Sequence, residues 1–220
     1  MKVGEPFHES VVEHLDELSD VAKRSGSVNC VTAVNDRLVG DNTEGAALAE
    51  LLRQQIDPVG KRAMIIGAGR LARAIAIALA DAGISSISIA SRKEAAGQQL
   101  TETIKQQSAA TAVFVPLGEK ALAVEPETAV LVNATSLGTM KPEAKLPLDV
   151  DSLGPKLIVA DVAYNTARTW FTHQAAEHDC RIIDGLSLYV EQTALALRLW
   201  TGVKPDAAAM REAAEEFLGI

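Results

Sequence analysis

Residues 64–72 read MIIGAGRLA, an apolar run followed by two glycines one residue apart and the start of an alanine-rich pattern. This is the G-x-G-x-x-A form of the fingerprint that joins a strand to a helix around a dinucleotide. Gly67 allows the tight turn, Gly69 lets the backbone approach a pyrophosphate, and Ala72 lets helix and strand pack closely. The phosphates would lie at the helix N-terminus, where free N–H groups favour negative charge. A sharp turn that holds no ligand is the alternative interpretation.

The sequence around this loop alternates between two kinds of pattern. Short apolar, β-branched runs follow one another from Lys61 onward, separated in places by longer helical patterns such as 71–82 and 93–107. The alternation predicts an α/β fold, a Rossmann-type doubly wound parallel sheet. Hydrophobic residues make up 48% of the chain and aromatic residues only 4%, which suits an aliphatic sheet covered on both faces. The predicted strands are 63–66, 86–90, 112–115, 129–132, 157–160 and 181–183.

The two ends of the chain do not follow this alternation. At the start we predict a helix over Ser10–Arg24, a hairpin turning at Asn35-Asp36 and a helix over Glu44–Gln55. At the other end we predict an apolar helix over Leu186–Trp200 and a last helix opening at Pro205. Such a small N-terminal part cannot build a core alone. We therefore expect residues 1–43 to form a partial α/β substrate lobe packed with C-terminal helices 186–220, and residues 44–185 to form the dinucleotide-binding domain.

The nucleotide is indicated by the end of the second predicted strand of the unit. Residues 89–93 read IASRK and lack the acidic residue that holds the ribose 2′-hydroxyl of NAD. Arg92 could pair with a 2′-phosphate and stack on adenine, and Lys93 adds a second cation. We therefore expect NADP, with two solvated surface cations as the alternative interpretation.

Charge and cysteine content exclude several classes of function. The chain has 29 acidic and 21 basic residues, which argues against non-specific nucleic-acid binding. Cys30 and Cys180 lie far apart and show no metal-ligand or redox spacing, as expected for reduced thiols. The first residues show no signal-peptide pattern, and no run approaches the roughly 20 apolar residues that span a bilayer. We expect a cytoplasmic protein without a metal, a nucleic-acid partner or a membrane partner.

Four further segments point to one family. They read LVGDNTEG at 38–45, VNATSLG at 132–138, DVAYN at 161–165 and DGLSLYVEQ at 184–192. They resemble the G-x-N-T-D-G junction, the N-A-T-x-x-G loop and the closing motifs of shikimate dehydrogenases, in family order from near residue 3 to the last helix. The closing motif disfavours another enzyme of this fold, methylenetetrahydrofolate dehydrogenase. The resemblance implies reversible, NADP-dependent reduction of 3-dehydroshikimate to shikimate, a step of aromatic amino-acid biosynthesis.

The same resemblance implies site residues. The substrate would contact Asn29, Tyr164 and Gln192, for which the alternatives are a turn amide, a strand-end tyrosine and a glutamine that satisfies backbone groups. The nicotinamide would lie near Val162 and Gly185. The rest of the cofactor would contact Gly67, Ala68, Gly69, Arg70, Leu71, Ser91, Arg92, Lys93, Asn133 and Thr135.

The chain departs from the family where acid–base chemistry is expected. Reducing a ketone requires a proton for the developing alkoxide. The family uses a lysine from N-V-T-x-P-x-K beside the aspartate of N-T-D, whereas residues 2–8 here read KVGEPFH. His8 therefore occupies the lysine position and Glu44 the aspartate position, and imidazole exchanges a proton near neutrality. We predict His8 and Glu44 as the catalytic pair, the alternative being an exposed first-turn histidine and a helix N-terminal charge.

Two hypotheses follow from these departures. Lys2 and Gly4 replace an asparagine and a threonine of the family motif, and the family's opening strands and serine-bearing loop have no counterpart. The first hypothesis is an active enzyme for 3-dehydroshikimate or a related keto or hydroxy acid. The second is a non-catalytic or substrate-diverged NADP-binding domain of the same family. A missing half-lobe would expose apolar surface, so a homodimer is also expected.

Overall fold

The computed structural model describes all 220 residues, beginning with a small three-stranded sheet. A 3-10 helix over Ser10–His14 precedes the sheet, and a short helix α1 (Asp20–Ser25) follows its first strand. Its strands are β1 (Glu17–Leu18), β2 (Cys30–Val34) and β3 (Arg37–Asp41), in the order β1-β3-β2. Strands β2 and β3 are antiparallel and turn at Asn35 and Asp36, which both have positive φ as a two-residue hairpin requires. The predicted turn is confirmed.

The single helix predicted over Ser10–Arg24 is wrong, because the chain extends in its middle. Strand β1 pairs in parallel with β3, and Leu15 packs so closely over Gly40 that a Cβ there would lie 2.5 Å from its side chain. Ser19 then caps α1 and donates a hydrogen bond to Asp41 Oδ1 at 2.7 Å. Pairing with a distant strand thus overrides the local helical pattern.

A six-stranded sheet forms the centre of the molecule, with every neighbouring pair parallel. The strand order is β6-β5-β4-β7-β8-β9, the arrangement of a doubly wound sheet that reverses beside β4. Each of the six predicted strands overlaps one of these, and the predicted fold class is confirmed. The strands are β4 (Arg62–Ile66), β5 (Ser86–Ser91), β6 (Thr111–Pro116), β7 (Thr128–Asn133), β8 (Ile158–Asp161) and β9 (Arg181–Ile183).

Six longer helices accompany the sheets. Helices α2 and α3 pack backbone to backbone, since a Cβ on Gly45 would lie 2.2 Å from the carbonyl oxygen of Ala74. The last helix is capped by Asp206, which accepts hydrogen bonds from two backbone N–H groups, so Pro205 stands just outside it. The helices are α2 (Glu44–Arg53), α3 (Arg70–Asp81), α4 (Glu94–Gln107), α5 (Trp170–Glu177), α6 (Gly185–Thr201) and α7 (Ala207–Leu218), with a 3-10 turn at Val150–Ser152.

Strand β4 is buried on both faces, as the middle strand of a parallel sheet should be. Ile65 belongs to the core cluster on one face, whereas Met64 and Ile66 belong to the cluster on the other, with Phe171. Because all strands run in one direction, the loops after β4, β5, β7 and β8 meet at one edge. That edge carries the candidate site.

The N-terminal sheet is attached to this domain by polar contacts as well as by packing. Trp200 on α6 donates to the carbonyl oxygen of Val31 at 3.1 Å, and Arg24 pairs with Asp81 at the end of α3.

No helix has the length and apolar character needed to cross a membrane. The structure contains no group of three or more His, Cys, Asp or Glu side chains arranged to hold a metal ion.

Candidate functional site

The glycine loop leaves open space at the start of α3. Gly67 has φ +119°, and a Cβ there would lie 2.8 Å from the carbonyl oxygen of Ala134, so the turn itself requires glycine. Gly69 differs, because a Cβ there would meet nothing within 4 Å. The backbone N–H groups at the start of α3 border this space. The loop therefore has room for a pyrophosphate where the helix dipole favours one.

A cavity of about 270 Å³ runs from the glycine loop to the end of β5. The hydroxyl of Ser91 accepts a hydrogen bond from the backbone N–H of Lys93 at 3.0 Å, which turns the chain after the strand. Arg92 and Lys93 line the cavity, are exposed, and form no salt bridge within the protein. Two unpaired cations beside a dinucleotide loop suit a 2′-phosphate.

The loop after β7 is held by the amide of Asn133, which is 1% exposed. Its Nδ2 donates to the carbonyl oxygen of Leu137 at 3.1 Å and to Asp161 Oδ1 at 2.9 Å, and its Oδ1 accepts from Thr135 Oγ1 at 2.7 Å. Thr135 in turn lines the cavity of about 270 Å³ beside Gly67, which we call the smaller cavity. The side chain of Asn133 therefore supports the loop, and that of Thr135 faces the cavity.

Asp161 is a buried residue that sequence reasoning left without a role. Burial raises the pKa of its carboxyl, against hydrogen bonds from Thr169 Oγ1 at 2.6 Å, Ala163 N at 3.2 Å and Asn133. These contacts tie the end of β8 to the loop after β7. Its position as the first residue of the DVAYN segment, at the end of a buried strand, was the available signal.

A larger cavity of about 450 Å³ lies between the N-terminal segment, the start of α3, the loop after β8 and α6. It adjoins the smaller one, because Leu71 lines the larger cavity and Gly69 the smaller, only two residues apart. Lys2, Tyr189 and Thr193 also line it and were not predicted as site residues. The predicted residues brought together here are His8, Asn29, Glu44, Arg70, Leu71, Val162, Tyr164, Gly185 and Gln192.

Asn29 and Gln192 form the polar wall of the larger cavity. Asn29 Nδ2 donates to Gln192 Oε1 at 2.9 Å, and Asn29 Oδ1 accepts from the backbone N–H of Thr43 at 2.9 Å. Thr43 Oγ1 donates to the carbonyl oxygen of Gln192 at 2.9 Å. Three segments distant in sequence are thus locked together, so both amides are fixed before any ligand arrives.

His8 is buried, with only 6% of its surface exposed, so the alternative of an exposed first-turn histidine is wrong. Its Nε2 lies 2.6 Å from the carbonyl oxygen of Val3, an acceptor, so Nε2 carries a hydrogen. Its Nδ1 has no hydrogen-bond partner and lies 3.7 Å from Glu5 Oε1 and 3.8 Å from Glu44 Oε1. Nδ1 is therefore the only ring nitrogen of His8 that is not already engaged in a hydrogen bond.

Arg70 directs its guanidinium group into the larger cavity. The group pairs with the buried carboxylate of Glu44 and with the exposed carboxylate of Glu5. Burial acts to lower the pKa of Arg70, but the two carboxylates outweigh it and raise that pKa. The predicted cofactor contact of Arg70 is thus left to its backbone N–H at the helix start.

Lys2 extends its ammonium group into the same cavity. Its Nζ donates to Gln192 Oε1 at 3.4 Å. Burial lowers the pKa of Lys2, against the attraction of Glu44 and Cys30, which raises it. The main chain of the segment is fixed, because the backbone N–H of Val3 donates to the carbonyl oxygen of Asn29 at 2.9 Å.

Two tyrosines stand at the opening of the larger cavity. The rings of Tyr164 and Tyr189 stack with their centroids 4.6 Å apart and their planes 15° from parallel. Tyr164 is 40% exposed and Tyr189 is 37% exposed.

Gly185 packs tightly against the loop after β8. A Cβ at Gly185 would lie 2.0 Å from the carbonyl oxygen of Ala163, so this close contact fixes the loop on α6.

Two family profiles match the chain. The profile for shikimate/quinate 5-dehydrogenase matches residues 49–140, and that for the shikimate 5′-dehydrogenase C-terminal domain matches residues 185–215. A shikimate dehydrogenase (NADP(+)) from Moorella thermoacetica is 37% identical over 216 residues, covering 97% of this chain and 73% of that protein. One from Thermus thermophilus is also 37% identical and covers 98% and 77%.

Solved structures agree on the fold. A ligand-free 5-ketofructose reductase from a Gluconobacter strain superposes with a TM-score of 0.94 at 34% identity, covering 98% of this chain and 78% of that one. A shikimate 5-dehydrogenase from Thermus thermophilus, in complex with NADP(H) and shikimate, superposes with a TM-score of 0.83 at 34% identity, covering 98% and 77%. By sequence identity over nearly its whole length, the chain belongs to the shikimate dehydrogenase family.

Proposed function

We propose that this chain is an NADP-dependent oxidoreductase that interconverts 3-dehydroshikimate and shikimate. The observation that carries the proposal is the junction of the two cavities at the start of α3. Arg92 and the glycine loop would hold the adenosine and pyrophosphate ends of a dinucleotide, and Val162 and Gly185, which line the second cavity, would hold its nicotinamide end. The names of the relatives, shikimate dehydrogenase (NADP(+)), agree with this cofactor.

The residues of the smaller cavity fit the cofactor chemically. Gly69 provides the space for the pyrophosphate, and Arg92 and Lys93 provide the charge for a 2′-phosphate. Reduced NADP, when bound, supplies a hydride. Residues 44–185 contribute these groups, whereas residues 1–43 and helix α6 contribute most of the substrate side.

The substrate side combines hydrogen-bonding groups with positive charge. Gln192 presents an amide that Asn29 holds in place, and Tyr164 adds a phenol at the opening. Lys2 brings an ammonium group to the same wall. We propose Asn29, Gln192 and Tyr164 as the residues that bind the substrate.

The new hydroxyl group requires a proton donor in the same cavity. The sequence-based proposal is His8 assisted by Glu44, and only Nδ1 of His8 suits that role because Val3 occupies Nε2. Glu44 shares its carboxylate with Arg70, which reduces its availability as the partner of His8.

A second candidate is the reduction of an uncharged polyhydroxy ketone. The similarity to a 5-ketofructose reductase, at a TM-score of 0.94 against 0.83 for the shikimate 5-dehydrogenase from Thermus thermophilus, favours it. So do the two carboxylates of Glu5 and Glu44 on the larger cavity, because carboxylates accept hydrogen bonds from hydroxyl groups.

The test is an assay of NADPH oxidation with 3-dehydroshikimate and 5-ketofructose in parallel. Oxidation is monitored as the decrease in the near-ultraviolet absorbance of NADPH. The proposal expects turnover with 3-dehydroshikimate, and reduction of NADP⁺ by shikimate in the reverse direction. Turnover with 5-ketofructose alone selects the second candidate. NADPH binding with no turnover of either ketone selects the non-catalytic hypothesis. The Gly69→Val protein is the matched control, because it removes the cofactor site and should abolish any genuine signal.

A further inference from the structure

Besides the phenols of Tyr164 and Tyr189, which stack at its opening, the larger cavity contains two nitrogen groups that can deliver a proton, those of His8 and Lys2. They differ in how their polar atoms are used. His8 commits one nitrogen to the carbonyl oxygen of Val3, and its other nitrogen faces carboxylates on two sides. Lys2 Nζ instead has one long hydrogen bond, at 3.4 Å, to the amide oxygen of Gln192. That amide belongs to the wall assigned to the substrate.

We propose that Lys2, and not His8, is the catalytic residue that protonates the substrate oxygen, standing on the polar wall formed by Asn29 and Gln192. This inference rests on the proposed function. In the reducing direction the ketone carbon gains a hydride from the reduced nicotinamide, and the carbonyl electron pair moves onto oxygen. That oxygen forms a bond to a proton as the N–H bond of Lys2 breaks. The neutral amine regains a proton from solvent, and in oxidation each transfer runs in reverse.

The cavity around Lys2 favours this exchange. Burial lowers the pKa of Lys2, so its ammonium group gives up a proton more readily than a surface lysine does. Glu44 from α2 and Cys30 from β2 face the ammonium group, and His8, Glu5 and Arg70 line the same cavity. The negative charge of Glu44 acts in the opposite direction and favours the protonated form of Lys2.

The position of Lys2 is fixed by its backbone. Lys2 bridges Cys30 in an antiparallel contact, and the backbone N–H of Val31 donates to the carbonyl oxygen of Met1 at 2.8 Å. Lys2 therefore extends the edge of β2 next to Asn29. By contrast, His8 lies beside Glu44, whose carboxylate is paired with Arg70. His8 is therefore a positioning residue, and its hydrogen bond to the carbonyl oxygen of Val3 holds the turn there.

The first experiment separates proton donation from charge binding with two variants at one position. Lys2→Arg keeps the positive charge, but guanidinium does not release its proton in proteins. Lys2→Gln removes both properties. For a proton donor we expect both variants to lower kcat by about 10²- to 10⁴-fold, with NADPH affinity unchanged. His8→Gln, which keeps a donor for the carbonyl of Val3, should lower kcat by less than about 10-fold.

The second experiment is chemical rescue. In Lys2→Ala, added methylammonium should fill the vacated space and raise kcat in proportion to its concentration, with the pH dependence of a primary amine. In His8→Ala, added imidazole should leave kcat nearly unchanged. A readout independent of turnover is the acetylation rate of each lysine against pH, followed by mass spectrometry. Lys2 should titrate with a pKa below the ordinary value of a lysine side chain.

The outcomes are distinct. An active wild type whose Lys2→Arg form keeps its kcat, while Lys2→Gln mainly raises KM, overturns the proposal and makes Lys2 a substrate-binding charge. An active wild type indifferent to Lys2→Gln, or loss of activity through His8→Gln alone, also overturns it. A wild type that binds NADPH and reduces no ketone overturns the proposed function and this inference together.

Discussion

Arg70, the first residue of α3, pairs with Glu44, the first residue of α2, across one side of the larger cavity. Both side chains are largely buried, at 13% and 9% exposure. The pair therefore joins the segment that carries the glycine loop to the segment that carries the family junction motif. Arg70 also binds the carboxylate of Glu44, which would otherwise be available as the partner of His8.

Removing one member of this pair should cost more stability than removing both. Arg70→Met leaves the buried carboxylate of Glu44 without its partner, and we expect a loss of about 2–4 kcal/mol in unfolding free energy. The double variant Arg70→Met/Glu44→Gln should recover part of that loss, because neither member of the pair then carries a buried charge. Urea unfolding of the four proteins of the cycle measures the coupling. Strictly additive losses would show that the pair contributes little.

Selection of NADP over NAD should depend on Arg92. Arg92→Ala removes a charged hydrogen bond to the 2′-phosphate, and we expect about 1.5–3 kcal/mol weaker NADPH binding. NADH affinity should change little. Isothermal titration calorimetry with both cofactors checks the assignment, and Lys61→Ala, at the opposite edge of the sheet, is the matched loss of an exposed cation. Equal losses for both cofactors would remove Arg92 from the 2′-phosphate site.

The two glycines of the loop should respond differently to a side chain. Gly69→Val should fold normally and lose NADPH binding, because the added atoms enter only the space assigned to the pyrophosphate. Gly67→Val should destabilise the protein itself, because a Cβ would lie 2.8 Å from the Ala134 carbonyl at φ +119°. Circular dichroism, thermal unfolding and NADPH titration separate the two effects. A folded Gly69→Val protein with normal affinity would place the nucleotide elsewhere.

Asp184 gives the protein a pH-dependent contribution to stability. Burial opposes its ionisation, but hydrogen bonds from Arg211 and from Ser187 at the start of α6 outweigh burial and lower the pKa of Asp184. A carboxyl with a lowered folded-state pKa stabilises the fold above its unfolded value, about 3.9, and loses that contribution as pH falls through the folded value.

Arg211→Met should therefore destabilise the protein at neutral pH and progressively less in acid. The pair is about 40% exposed, so we expect a loss of only about 0.5–1 kcal/mol at pH 7, shrinking below about pH 4. Urea unfolding between pH 3 and 7 measures it. Arg53→Met, which breaks an exposed pair with Glu50, should cost less at every pH. A loss independent of pH would assign the effect of Arg211 to packing instead.

The sheet was predictable because its signals are local. Parallel strands buried on both faces are continuous apolar runs, and the glycine loop marks the central one. The break between Ser10 and Arg24 was not predictable, since it depends on β1 pairing with β3 more than twenty residues later. The amphipathic spacing there matches a helix equally well, and only the partner strand decides.

The membership of the site was more predictable than its internal contacts. Asn29, Gln192 and Tyr164 line one cavity with Val162 and Gly185, as the motif order indicates. The burial of His8 and the direction of the Arg70 side chain depend on rotamers and on Glu5, which no motif specifies. Lys2 could be noticed in the sequence only as a substitution, because its hydrogen bond to Gln192 spans 190 positions.

Transfer of a labelled hydride tests the central claim most directly. NADPH carrying deuterium at both C4 positions is incubated with the protein and 3-dehydroshikimate, and the product is analysed by mass spectrometry. The account predicts shikimate that carries one deuterium on the new carbinol carbon, formed by the wild type and not by Gly69→Val. NADPH bound with wild-type affinity but no deuterated shikimate, under conditions where a known shikimate dehydrogenase forms it, would contradict the account.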